Sequence, residues 1–295
     1  MQIETLIEGF KLYNSCKGLS PKTITWYDAF LRHFADFLKH YQHPSEISEL
    51  SISHLRAWLH HGQERGLSPY TVQGQARTLK VFFRFAQEEG YLETNIASRL
   101  KVPRAPKKII QTFSEEQLRR LLTAARSPRD KAILGLFIDT GIRVTELAFL
   151  QIQDVDLDRG RIKVNGKGAK ERYVFCGNKC RRLLWRYINT ERPNVSSDRL
   201  FINAYGQPLK ARGILEMMRR CGRRAGINGV RCSPHTLRHT FAKRFLLNGG
   251  DVFTLQQILG HSSLEMVRRY VALCSQEVGR LYRPHSPLDR LGKAV

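Results

Sequence analysis

The stretch CSPHTLRHTF, Cys232 to Phe241, brings His235, Arg238 and His239 within five residues. On a helix these side chains share roughly one face, because positions three and four apart are neighbours. The two histidines have the i, i+4 spacing of the zinc helix H-E-x-x-H. Thr236 stands where that motif needs its glutamate, so zinc hydrolysis is not expected. A phosphate suits the set better: a guanidinium is planar, stays charged and bonds two oxygens at once. His239 is then expected to pack or hydrogen-bond within its own helix. Further candidates lie along the chain in order. Arg143 follows Gly141 in DTGIRVTEL, Lys167 sits in the NGKG turn, His261 lies in LGHSS, and Tyr270 comes nine residues later. Singly each is weak, since a lysine in a turn is ordinarily just exposed and a tyrosine ordinarily packs.

The elements that must position these residues can be read from capping and periodicity. GLSPKT puts Ser20 at an N-cap and Pro21 at the first helical position. Ile24, Tyr27, Leu31, Phe34, Phe37 and Leu38 then recur at helical spacing. GLSPYT repeats the device with Ser68 and Pro69, followed by Val72, Leu79, Phe82, Phe83 and Phe85. SISHLRAWLHHGQERG between them predicts another helix, ending at Gly66. The basic residues Lys22, Arg77, Lys80 and Arg84 permit these helix ends to meet DNA phosphates; plain helix punctuation is the alternative. RLKVPRAPKKII, Arg99 to Ile110, has two prolines and five basic residues and predicts an extended linker. Lys107 and Lys108 in it would cross a DNA backbone or simply be solvated.

Beyond the linker, Ser114 and Gln117 form a capping box. SPRDKAILGLFIDTG predicts a capped helix closed by Gly141. In VDLDRGRIKVNGKGAKERYVF the period becomes two: Val155, Leu157, Ile162, Val164, Tyr173 and Phe175 alternate with polar residues, and DRG and NGKG supply turns. A three-stranded antiparallel sheet is expected, with helices resuming near Asn178. The fold class is therefore an all-α N-terminal domain over residues 1–100, a basic linker at 101–111, and a mainly helical α+β domain over 112–295.

Net charge narrows the partner. The chain of 295 residues carries 49 Lys/Arg against 26 Asp/Glu, a formal +23. Residues 1–110 hold 15 basic and 10 acidic side chains, so most of the excess lies further on. Such a balance fits a polyanion, nucleic acid before membrane. No apolar run approaches a membrane span, and MQIETLIEGF has no basic n-region, so a cytoplasmic protein is expected. The six cysteines are sparse and argue against a disulfide framework.

Taken together, the ordered motifs resemble those of the tyrosine recombinase (phage integrase) superfamily, with Xer-type recombinases and simple two-domain integrases nearest. The likeness runs from LSPYT…LKVFFRFAQEEGYLETNIASRLKVPRAPKK through TGIRVTELAFL, the hairpin lysine, HTLRHTFA and LGHSS to the late tyrosine. It implies a SAM-like four-helix core-binding domain followed by a catalytic domain. It implies that Tyr270 is the nucleophile, that Arg143 and Arg238 clamp the scissile phosphate, and that Lys167 protonates the leaving 5′-oxygen. His235 would assist proton transfer at the tyrosine, His261 would hydrogen-bond the phosphate, and Glu146 would brace the site. The chemistry is consistent. A tyrosine of pKa about 10 needs a base or a cationic field, and the transition state needs charge placed against its oxygens.

A covalent phosphotyrosine conserves the energy of the broken bond, so neither metal nor ATP is expected, and neither a P-loop nor clustered carboxylates are seen. The resemblance further implies double-stranded DNA as partner and a homo-tetramer, or a hetero-tetramer with a paralogue, acting through a Holliday junction. The C-terminal residues 271–295 would dock on a neighbouring protomer or pack on their own domain. A type IB topoisomerase and a non-catalytic DNA-binding relative are the competing readings.

Overall fold

The computed structural model describes residues 1–106, 110–166, 171–260 and 264–273, together with Gly279 and Tyr282. The chain divides into two compact units, residues 1–108 and 109–295.

The first unit holds α1 (Ile3–Cys16), α2 (Pro21–His40), α3 (Ile52–Glu64) and α4 (Pro69–Glu88). Ser20 and Ser68 cap α2 and α4 as the sequence predicts, accepting from the backbone N–H groups of Thr23 and Thr71. The core is aromatic: Phe10, Phe34, Trp58, Phe82 and Phe83 are buried, and Phe10 meets Phe82 edge-on at 5.5 Å. The segment after α4 is laid along that helix up to Pro106. Lys80 Nζ donates to the carbonyls of Ser98 and Leu100, each at 3.0 Å, and Gln73 Nε2 donates to Pro103 O at 3.0 Å. Lys80 is half-buried and occupied by chain carbonyls, whereas Lys22, Arg77 and Arg84 are exposed. Lys107 and Lys108 lie outside the described residues.

The second unit begins with α5 (Glu115–Ala124), carrying the capping box of Ser114 and Gln117, and α6 (Pro128–Thr140). α6 is its central helix: Ala132, Ile133, Leu134, Leu136 and Phe137 are fully buried. A helix apolar on most sides belongs inside a core, and truncating Phe137 to alanine would cost about 3–5 kcal/mol. Gly141 ends α6 in the left-handed region at φ 59°. α7 (Val144–Phe149) follows directly. Then come β1 (Val155–Asp156), β2 (Arg161–Asn165) and β3 (Glu171–Phe175), an antiparallel sheet in the order β1-β2-β3. α8 (Asn178–Thr190) and α9 (Ala211–Arg224) complete the main core.

The face of β3 differs from expectation. Val174 is buried, while Tyr173 and Phe175 are exposed. Pairing decides this: Ile162 is opposite Val174 and Val164 is opposite Arg172, so these residues share the inner face with the buried side of β2. Tyr173 lies under the Arg161 guanidinium on the outer face, 4.6 Å from carbon to ring centroid.

A smaller core joins α10 (Pro234–Leu247), α11 (Val252–Leu259) and α12 (Leu264–Leu273). Ser233 caps α10, with Pro234 at its first position. Asp251 caps α11 by accepting from the N–H groups of Phe253 and Thr254, each at 2.9 Å. Val267 and Tyr270, three apart on α12, point into the cluster with Phe241, Leu255 and Leu259. No described helix is long and apolar enough to cross a membrane.

Candidate active site

Three guanidiniums meet the C-terminal end of α11. Ile258 O accepts from Arg172 Nε at 2.7 Å, Leu259 O from Arg238 Nη2 at 2.6 Å, and Gly260 O from Arg143 Nη2 at 3.2 Å. The last carbonyls of a helix lack intrahelical partners and form its negative end, so cations suit them. The chain reaches this point from three elements: Arg143 at the N-cap of α7, Arg172 on the inner face of β3, and Arg238 one turn into α10. Gly260 turns the chain away at φ 61°.

Glu146 ties two of the arginines together. Arg172 grips its carboxylate bidentately, Nη1 to Oε1 at 2.7 Å and Nη2 to Oε2 at 2.8 Å. Arg143 adds its own Nη1 to Oε1 at 2.7 Å and its backbone N–H to Oε2 at 2.8 Å, closing a capping box at the head of α7. Burial alone would push this carboxyl up. The hydrogen bonds from Arg172 and from the Arg143 backbone, then the charge of Arg172 and the Arg143 side-chain hydrogen bond, hold it down at about 2. Glu146 is therefore an anion at any physiological pH.

Arg238 is almost wholly enclosed. Besides Leu259 O it donates Nη1 to Gly141 O at 2.7 Å, bridging the ends of α6 and α11. Burial, then repulsion from Arg143, lowers its pKa to about 10, which leaves it charged at neutral pH. Arg143 keeps 32% of its side chain exposed. It opens into a cavity of about 560 Å³ shared with Glu146, Phe149, Asn165, Gly166 and Arg199.

The tyrosine lies beside this cationic set. Tyr270 is buried, and its hydroxyl is 3.0 Å from Nδ1 of His239. Burial pushes the phenol up, against the opposing pull of Arg238, Arg269 and Arg143. His239 is pushed down by burial, then by His235, Arg238 and Arg269. A neutral imidazole is thus held where it can accept the tyrosine proton. The expectation that His239 only packs or bonds within its own helix is corrected: its partner comes from α12. His235, one turn nearer the N-terminus, is exposed, and its charge acts on His239. Lys167 and His261 lie outside the described residues. Among the described residues no three His, Cys, Asp or Glu side chains are grouped to hold a metal ion.

Sequence reasoning passed over two residues that the structure brings here. With the zinc motif excluded at Thr236, the sequence leaves His239 to pack or hydrogen-bond within its own helix. Arg172 falls among the polar residues that alternate with Tyr173 and Phe175, so the sequence does not single it out. The available signal was the other phase, an arginine two residues from Val174.

Comparison with known proteins follows the same division of the chain. The sequence model of the Phage integrase family matches residues 111–277, and that of the phage integrase N-terminal SAM-like domain matches residues 7–90. A tyrosine recombinase XerC from Oceanobacillus iheyensis is 34% identical, the alignment covering 97% of either chain. A tyrosine recombinase XerD from Staphylococcus haemolyticus is 32% identical over 97% of this chain and 99% of its own. Among solved structures, the XerA recombinase crystal structure aligns with a TM-score of 0.56 at 28% identity, covering 96% of this chain and 99% of the other. A lambda integrase dimer bound to a COC′ core site gives 0.75 at 18% identity over 90% of this chain and 97% of the other, a likeness of fold.

Proposed function

This chain belongs to the Phage integrase family of tyrosine recombinases, DNA strand-transferring enzymes, and from that premise we propose that Tyr270 is the residue that breaks the strand. The Tyr270 oxygen attacks phosphorus, the bond from phosphorus to the 5′-oxygen breaks, and a 3′-phosphotyrosine forms. The tyrosine proton passes to the His239 nitrogen. The leaving oxygen takes a proton from Lys167 and departs as a 5′-hydroxyl. A 5′-hydroxyl from another duplex reverses the step and reseals the strand, which is site-specific recombination. Arg143 and Arg238 hold the phosphate oxygens through the transition state, and His261 adds a hydrogen bond. His235, one helical turn away, assists this proton transfer.

The observation that carries this reading is the placement of one buried tyrosine hydroxyl on a depressed imidazole, within the field of Arg238 and Arg143. Fixed positive charge of this kind is effective because it needs no reorganisation during the reaction. Energy conserved in the phosphotyrosine makes ATP and a metal ion unnecessary. Two duplexes exchanged one strand pair at a time require four protomers, so the working assembly is a tetramer on DNA.

The test uses nicked duplexes carrying a core site selected by binding from a random pool. The expected product is a covalent protein–DNA adduct that maps to Tyr270, is lost in Tyr270→Phe, and leaves DNA affinity unchanged. An adduct on Tyr173 or Tyr282 would overturn the assignment. Equal relaxation of supercoiled plasmids with and without the site would favour a topoisomerase instead.

A further inference from the structure

We propose that Arg172 is a positioning residue for strand cleavage: it touches no substrate and acts through Glu146 to aim the Arg143 guanidinium at the scissile phosphate. This rests on the cleavage reading above.

The geometry separates Arg172 from Arg143. All three of its guanidinium nitrogens are engaged by protein, Nε by Ile258 O and the two Nη by Glu146, and only 12% of the side chain is exposed. Gly260 packs flush against it; a Cβ there would stand 3.0 Å from Arg172 Cδ and 3.1 Å from Nε. Arg143, by contrast, reaches into the open cavity and is fixed on one side by Glu146. An unrestrained arginine loses rotamer entropy when it is ordered. A carboxylate clamped from behind removes that freedom before substrate arrives. Without Arg172, the buried carboxylate keeps Arg143 at the head of its own helix and the more distant Arg238 of α10; Asp154 and Arg199 line the adjoining cavity.

Arg172→Gln is expected to lower single-turnover cleavage on the order of 10²-fold, the scale of a small misplacement at a reacting centre, with DNA affinity within about twofold. Arg172→Lys, which keeps the charge but not the fork, should recover part of the rate. In an Arg143→Ala background, Arg172→Gln should cost nothing further, because a residue that acts through another shows no effect in its absence. The acid limb of the pH–rate profile should also move to higher pH in Arg172→Gln and return on adding Glu146→Gln. Additive losses in the Arg143→Ala background, an unmoved acid limb, or a rate that follows thermal unfolding across Gln and Lys variants alike would overturn the proposal. If the wild-type chain forms no Tyr270 adduct, the cleavage reading fails, and this inference with it. An intact wild-type adduct with additive losses overturns the role of Arg172 alone.

Discussion

The His239 Nδ1 stands 3.0 Å from the Tyr270 hydroxyl, with the two ring centroids 5.6 Å apart. The imidazole is the more acidic partner than usual and the phenol the less acidic, both through burial. The pair therefore rests as neutral tyrosine and neutral histidine at neutral pH. Because the His239 pKa lies below its ordinary 6.5, the base stays unprotonated into mildly acidic solution. Single-turnover cleavage should hold below pH 6.5 and fall only as pH drops through the depressed value. His239→Gln should reduce the rate by about 10²-fold, the usual scale for losing a general base. An acid limb at or above the ordinary histidine value would count against this assignment.

Arg143 and Arg238 should fail differently. Arg238→Ala leaves the carbonyls of Gly141 and Leu259 without their donor inside the protein, at a cost of about 1–3 kcal/mol. Arg143→Ala empties a position that is one-third exposed. Both variants should lose cleavage by orders of magnitude. Melting should drop several degrees for Arg238→Ala and little for Arg143→Ala, as differential scanning calorimetry would show. Equal melting losses would mean that Arg238 is no more structural than Arg143.

Gly260→Ala meets two obstacles at once. The backbone is left-handed at φ 61°, and the new Cβ would crowd Arg172 at 3.0 Å. Strain alone costs roughly 1 kcal/mol or more. Since Gly260 O is also an acceptor for Arg143, the variant should lose more cleavage than stability. The comparison is a cleavage assay beside a urea titration, and a loss of stability with full cleavage would refute it.

In the first unit, Lys80→Ala should lower stability and leave the salt dependence of DNA binding alone, because Nζ is committed to Ser98 O and Leu100 O. Arg77→Ala and Arg84→Ala should weaken binding and reduce the slope of log affinity against log salt by about one each. Fluorescence anisotropy over a salt series measures both. A slope changed by Lys80→Ala and unchanged by the two arginines would reverse the assignment.

Lowering the pH through the acidic range should also loosen the second unit. The Glu146 carboxyl titrates at about 2 in the folded chain, against 4.5 for an unperturbed group. A depressed folded value contributes stability above the unfolded pKa, which is lost as pH falls from about 4.5 toward 2. Glu146→Gln should flatten that part of the acid-unfolding curve; an unchanged curve would show that the ion-pair network contributes nothing there.

Local chemistry made much of this protein readable without coordinates. The caps of α2, α4, α5 and α6 are short-range hydrogen bonds between residues three apart, so Ser20, Ser68, Ser114 and Ser127 announce them directly. The ordered motifs around Arg143, Arg238 and Tyr270 placed the chain in its family for the same reason: each motif is contiguous. What only the tertiary structure decided is which side chains meet across elements. The face of β3 depended on its register with β2, where a shift of one residue turns every side chain over. That register turned Arg172 inward to Glu146, and the packing of α12 on α10 set His239 against Tyr270. Both pairs lie more than twenty-five residues apart in the chain. Their contact follows from buried apolar area summed over whole helices and strands, a quantity that no local run of residues encodes.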